Sequence, residues 1–134
     1  MKRTPPPASV WVKICGVRNV ETALRIAELG ADAIGINFYA GSPRCVVDLP
    51  TAAAIVEALP PVVEAVGVFV NHTSQQIHEI CSATGLATIQ LHGDEPDSLI
   101  DAVSDLKVIR AIRLSNDVAA QTQPLLADYS RQAT

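Results

Sequence analysis

Hydrophobic positions along this chain fall into short runs of two alternating kinds. "VWVKICGV" (10–17), "DAIGINFY" (32–39), "VEAVGVFVN" (63–71), "ATIQLHG" (87–93) and "KVIRAIRL" (107–114) are apolar at consecutive positions and rich in Val and Ile. That is the pattern of strands covered on both faces. Between them lie segments with apolar residues three and four apart, the spacing of helices: 19–30, 49–60, 73–85, 95–106 and 116–133. Their ends carry the expected signals. Asn19 caps the first helix and Gly30 closes it; Pro50 sits in the first turn of the second and Pro60 ends it. Thr73 or Ser74 opens the third and Gly85 closes it, Asp94 caps the fourth ahead of Pro96, and Pro124 kinks the last. Five β-then-α units at intervals of roughly 20–30 residues predict right-handed βαβ crossovers and a parallel sheet. An open doubly wound sheet and part of a (βα)8 barrel both satisfy that pattern.

The strand ends favour the barrel. Each run finishes near a polar or reactive side chain: Cys15, Asn37 with Tyr39, Asn71, His92 and Arg113. Barrels collect their active sites at the carboxyl ends of several strands, whereas open sheets concentrate ligands at one switch point. Gln90 falls on the same side of its strand as His92. Arg110 and Arg113 fall on opposite faces of the fifth strand, with only Arg113 near its end. The first βα turn, "CGVRN", is not a G-x-G-x-x-G fingerprint, and no G-x-x-x-x-G-K-[ST] loop occurs, which disfavours nucleotide binding.

Composition narrows the setting. The 134 residues suffice for one domain with a real core, and 49% hydrophobic against 18% charged residues argues for an ordered globular chain. A net charge of −4 offers no positive field for nucleic acid or an anionic membrane. No apolar run approaches the roughly 20 residues that span a bilayer. Residues 1–11 are basic and then proline-rich, without the apolar stretch of a signal peptide, and read as a flexible tail on a cytoplasmic protein. The odd, widely spaced Cys15, Cys45 and Cys81 do not suggest a disulfide framework, and His72, His78 and His92 lack metal-ligand spacing. On these grounds alone, Cys15 reads as readily as a small buried hydrophobe as a reactive thiol.

"KICG" (13–16), "GADAIGINFYAGSPR" (30–44), "VGVFVN" (66–71) and "IQLHGDE" (89–95), in this order and spacing, resemble the phosphoribosylanthranilate isomerases, (βα)8-barrel enzymes of tryptophan biosynthesis. The resemblance runs from about residue 12 to 114. It implies an Amadori rearrangement of N-(5′-phosphoribosyl)anthranilate to 1-(2-carboxyphenylamino)-1-deoxyribulose 5-phosphate, with neither metal nor organic cofactor. An acid opens the ribose ring to an iminium ion, and a base removes the C2 proton to give an enolamine that becomes the ketone. The resemblance makes Cys15 that base and sets Arg44 against the anthranilate carboxylate, a task suited to a bidentate guanidinium. From their places on the strands, Gln90, His92 and Arg113 are expected to line the substrate site. Cys45 departs from the family, which commonly carries an aromatic residue there; it and Cys81 read as structural.

A larger departure concerns what this sequence lacks. The family's acid is an aspartate ending the sixth strand, and its phosphate sits on glycine-rich loops after the seventh and eighth. A full barrel takes about 200 residues or more, and Asp128 lies within a helical segment rather than at a strand end. The expectation is therefore that residues 12–134 form the first five βα units of an isomerase barrel, inactive or nearly so alone. Its unpaired strand edges would invite self-association. Two other readings stand beside it. Another phosphosugar barrel, such as indole-glycerol-phosphate synthase, would use lysine and glutamate at strand ends where this chain has cysteine, asparagine and histidine. A non-catalytic half-barrel that pairs with a second copy is the other.

Overall fold

The computed structural model describes residues 9–114. The last expected helix, 116–133, and most of the expected tail lie outside them. Five strands alternate with four helices: β1 (Lys13–Cys15), α1 (Val20–Glu28), β2 (Ala33–Asn37), α2 (Leu49–Ala58), β3 (Glu64–Phe69), α3 (Ser74–Thr84), β4 (Thr88–Leu91), α4 (Asp97–Ala102) and β5 (Lys107–Arg110). All neighbouring strands pair in parallel, in the order β1-β2-β3-β4-β5. This monotonic order decides between the two architectures. A doubly wound sheet reverses direction at a switch point, whereas a barrel winds one way and keeps its helices on one face. The chain is a parallel α/β unit that builds the first five strands of a barrel.

Side-chain alternation divides the sheet into two faces. Ile34, Ile36, Phe69, Ile89 and Leu91 pack in one cluster with Ala23, Ala52, Ile55, Ile77, Cys81 and Val103 from the helices. The alternate positions, in register across the strands, form the other face: Cys15, Gly35, Val66, Thr88 and Lys107 in one row, Asn37, Val68, Gln90 and Ile109 in the next. Phe69 anchors the helix side. It is fully buried, stacks on Phe38 at 5.2 Å between centroids and meets the His72 ring edge-on at 5.1 Å. Aromatic pairs at these separations add to the area they bury.

The helix ends largely follow the sequence signals. Asn19 Oδ1 accepts from the Thr22 N–H, and Thr73 and Gln76 form a reciprocal capping box. Asp48 Oδ1 likewise caps α2 by accepting from the Thr51 N–H; the Thr51 hydroxyl first, and this N–H second, hold the carboxyl below its usual range. At the end of α1 the cap falls on Leu29, with Gly30 at φ 93° taking the left-handed turn just beyond. Asp94 does not cap α4. The N-cap is Pro96, without a side-chain cap bond, because the loop before it is held by a different set of bonds. The strands are also shorter than the apolar runs; β5 ends at Arg110 rather than Leu114. Arg110 therefore stands at the rim, contrary to the expectation that only Arg113 would.

At the amino end of the other face, the Thr88 hydroxyl donates to Glu64 Oε1 at 2.7 Å, and Lys107 Nζ reaches the two carboxylate oxygens at 3.0 and 3.3 Å. The hydroxyl bond, opposed by partial burial and aided by the ammonium, lowers the Glu64 pKa. A lowered pKa means these bonds stabilise the fold above the ordinary carboxyl pKa of 4.5 and are lost as acid protonates the group. Urea midpoints are expected to fall less steeply below about pH 4.5 in Glu64→Gln than in the parent. Phe69→Ala is expected to cost about 3–5 kcal/mol in the same unfolding experiment.

Candidate active site

The carboxyl end of the sheet brings the first two motifs together. Cys15 ends β1, exposed, on the face away from the helices. A Cβ on its neighbour Gly35 would lie 2.7 Å from Cys15 Sγ and 3.1 Å from Lys13 Nζ. The missing side chain is thus the space the thiol occupies. Lys13 lies two positions before Cys15 on the same face, and its ammonium shares the space beside Gly35. Gly16 turns the chain away at φ 81°, a conformation open to glycine. A Cβ there would meet Arg44 Cδ at 2.9 Å, so the arginine stem lies across Gly16. Ser42 Oγ accepts from the Arg44 N–H at 3.1 Å, and Asn37 pairs with Cys45, so the loop folds back onto the end of β2. Cys15 and Arg44, 29 positions apart in sequence, are neighbours at the rim.

A second group forms at β4 and β5. His92, Gly93, Asp94, Arg110, Ala111, Ile112 and Arg113 line a cleft of about 480 Å³ at the strand ends. His92 and Arg113 thus line one cleft, together with Arg110. Gln90 lies between the two groups, on the same face as Cys15 and in the row with Asn37 and Val68. Its Oε1 is buried without a protein partner. Such an atom is costly to leave unmet. The two groups are separated along the sheet by three strand spacings of roughly 4.8 Å each.

Sequence reasoning passed over Lys13, Glu95 and Arg110 as contributors at this end. Lys13 was legible from period-two alternation with Cys15. Glu95 was not, because "DEP" before a helix reads as a cap. Among the described residues no three His, Cys, Asp or Glu side chains converge to hold a metal ion.

A one-way parallel sheet, its inner face bearing a thiol, an amide and cationic side chains at the strand ends, defines a (βα)-barrel unit with an anion-receptive rim. The family model for N-(5'phosphoribosyl)anthranilate (PRA) isomerase matches residues 12–132, and the chain belongs to that family. The isomerase of Myxococcus xanthus is 46% identical over 107 residues, covering 80% of this chain and 50% of that protein. That of Pseudomonas aeruginosa is 53% identical over 87 residues, 65% of this chain and 41% of its own. Among solved structures, the phosphoribosyl anthranilate isomerase of Thermotoga maritima superposes with a TM-score of 0.81 at 39% identity, covering 90% of this chain and 58% of that one. A phosphoribosyl anthranilate isomerase in complex with reduced 1-(o-carboxyphenylamino)-1-deoxyribulose 5-phosphate gives a TM-score of 0.80 at 39% identity, covering 90% and 61%. The chain spans about half the length of the curated relatives it matches.

The three thiols differ in exposure and surroundings. Cys15 is exposed, Cys45 is part-buried with its Sγ donating to Val46 O at 3.4 Å, and Cys81 is buried on α3. Burial, with the Asp105 charge adding to it, pushes the Cys81 thiol up to about 11. Iodoacetamide at pH 7.5 is therefore expected to label Cys15 first and Cys81 last, read by peptide mass spectrometry. Labelling of Cys81 before Cys15 would contradict the arrangement.

Proposed function

We propose that this unit supplies the base and the carboxylate grip of a phosphoribosylanthranilate isomerase, acting in the cytoplasm in tryptophan biosynthesis. The observation that carries the reading is that the Arg44 stem lies against Gly16, the residue next to Cys15, at the carboxyl end of β1. Cys15 removes the C2 proton of the ring-opened iminium form of N-(5′-phosphoribosyl)anthranilate, and the resulting enolamine becomes the ketone of 1-(2-carboxyphenylamino)-1-deoxyribulose 5-phosphate. A thiol does this as its thiolate, and Lys13 supplies positive charge on the same face to offset it. Arg44 holds the anthranilate carboxylate, which fixes the aromatic end and leaves the sugar carbon over the thiol. Gln90, His92 and Arg113 line the remainder, with the unpartnered Gln90 Oε1 available to a substrate hydroxyl.

The residues 12–134 act in this reading as the amino-terminal part of the barrel. The acid and the phosphate loops belong in the family to strands six to eight. The five-strand unit by itself is accordingly expected to give no turnover above background, and its edges at β1 and β5 to favour association with a second copy. The structure of monomers made from the T. maritima isomerase describes that relative as dimeric, which supports self-association without fixing the surface. No helix among the described residues is long and apolar enough to cross a membrane.

A hybrid tests the chemistry directly. Residues 12–114 replace the matching segment of the M. xanthus isomerase, and turnover is followed with folding checked by circular dichroism. The hybrid is expected to isomerise the substrate, and Cys15→Ala to lower its kcat at least about 10²-fold. A folded Cys15→Ala hybrid with unchanged turnover overturns Cys15 as the base.

A further inference from the structure

The loop after β4 is held by a carboxylate, not by packing. Glu95 is only 3% exposed. Burying a charge is costly unless its oxygens are met, and apolar contact would fix the same loop at lower cost. Here every bond is directional. Glu95 Oε1 accepts from the Asn71 N–H at 3.1 Å, across in the loop after β3, and the Gly93 N–H donates to both oxygens at 3.1 and 2.9 Å. The return bond comes from the other loop: Asn71 Oδ1 accepts from the Asp94 N–H at 3.0 Å.

The fit between the two loops is close. Asn71 stands at φ 54°, a left-handed form that asparagine tolerates better than most residues. Gly93 lies directly beneath it: a Cβ there would fall 2.6 Å from Asn71 Oδ1 and 3.0 Å from Asn71 N. From β5, Arg110 Nη2 donates to the Glu95 carbonyl at 2.6 Å and Nη1 reaches Asp97 at 3.2 Å, which places a cation on the loop's far side. His92 sits inside this clasp. Its N–H donates to Phe69 O at 2.9 Å, and the next residue is the clamped Gly93.

We propose that Glu95 and Asn71 are positioning residues, a reciprocal clasp that makes the loops after β3 and β4 one rigid unit and thereby sets where His92 stands at the rim. The importance of His92 for substrate rests on the isomerase reading; the clasp does not.

The two loops being one unit has a cross-loop consequence that a merely local stabilising role lacks. Amide hydrogen exchange and the His92 ring signal are followed by NMR on the 134-residue chain, without substrate. In Glu95→Gln, one carboxylate oxygen becomes an NH2 facing the Gly93 or Asn71 donor. Exchange at Asn71, in the opposite loop, and at Gly93 is expected to quicken at least about tenfold, with strand amides at Ile36 and Leu91 unchanged, and the His92 ring signal to shift. Asn71→Gly keeps the left-handed turn without strain and deletes only the side-chain acceptor, so it retains the fold even where Glu95→Gln does not. It is expected to quicken exchange at Asp94 and to shift the same His92 signal. Variants that quicken exchange only within the mutated loop, or leave the His92 signal as in the parent, overturn the clasp. Because no substrate enters the measurement, that outcome is separate from any failure of the isomerase assay.

Discussion

Parallel pairing of each strand with its sequence neighbour, always in the same rotational sense, is the constraint on which the rest of the molecule depends. Once β1 to β5 lie in chain order, right-handed crossovers put every helix on one side. That side takes the large apolar side chains, and Phe69, Ile34, Ile36 and Ile89 lose all contact with water there. The other side is released from the duty of holding the fold. It can carry Glu64, Thr88 and Lys107 where β3, β4 and β5 begin, and Cys15, Asn37 and Gln90 at or near the ends of β1, β2 and β4. Stability and chemistry are assigned to opposite faces of the same strands, by nothing more than the two-residue repeat of an extended chain.

The same repeat explains why glycine stands next to the thiol. In a packed parallel row, Gly35 is the registered partner of Cys15. Any side chain at 35 would compete for the volume that Sγ fills. The glycine leaves that volume to the thiol and to the Lys13 ammonium beside it. Gly16 repeats the device one residue along, lowering the backbone so that the Arg44 stem can cross it. Two motifs that look like separate fingerprints, "KICG" and "GSPR", are therefore one steric unit.

Much of this was legible in the sequence, for reasons that also mark where reading had to stop. Helix starts were legible because a cap is a local interaction: Asn19 and Thr73 bond residues three positions on. The alternation of element types was legible because burial imposes it. Strand ends were not, since apolar runs such as "KVIRAIRL" continue past the last ladder bond and pairing is decided by the neighbouring strand. The thiol and the loop arginine could be singled out by resemblance, but the packing of the arginine stem against Gly16, beside the thiol, could not, because it depends on an absent Cβ atom. Asp94 was misread as a cap for a related reason. Its N–H is spent on Asn71, 23 positions away, and no local pattern announces so distant a partner.

That misreading points to the more general relation between motif and mechanism. "FVN" and "HGDE" invite a search for reactive groups, and His92 and Asp94 are the residues such a search selects. The bonds are distributed differently: the carboxylate that ties the two loops together is Glu95, 3% exposed and bonded to the backbone of Asn71 and Gly93. A rim built from five separate strands can hold a ligand only if its loops keep a fixed spacing, and loops lack the ladder bonds that fix strands. A buried carboxylate met by two backbone donors restores that spacing locally, at an electrostatic cost that apolar packing would avoid. What it gains is direction, since a carboxylate oxygen dictates where each N–H must point, whereas an apolar contact tolerates sliding. The charge is buried because the geometry of the rim matters more there than the stability it costs.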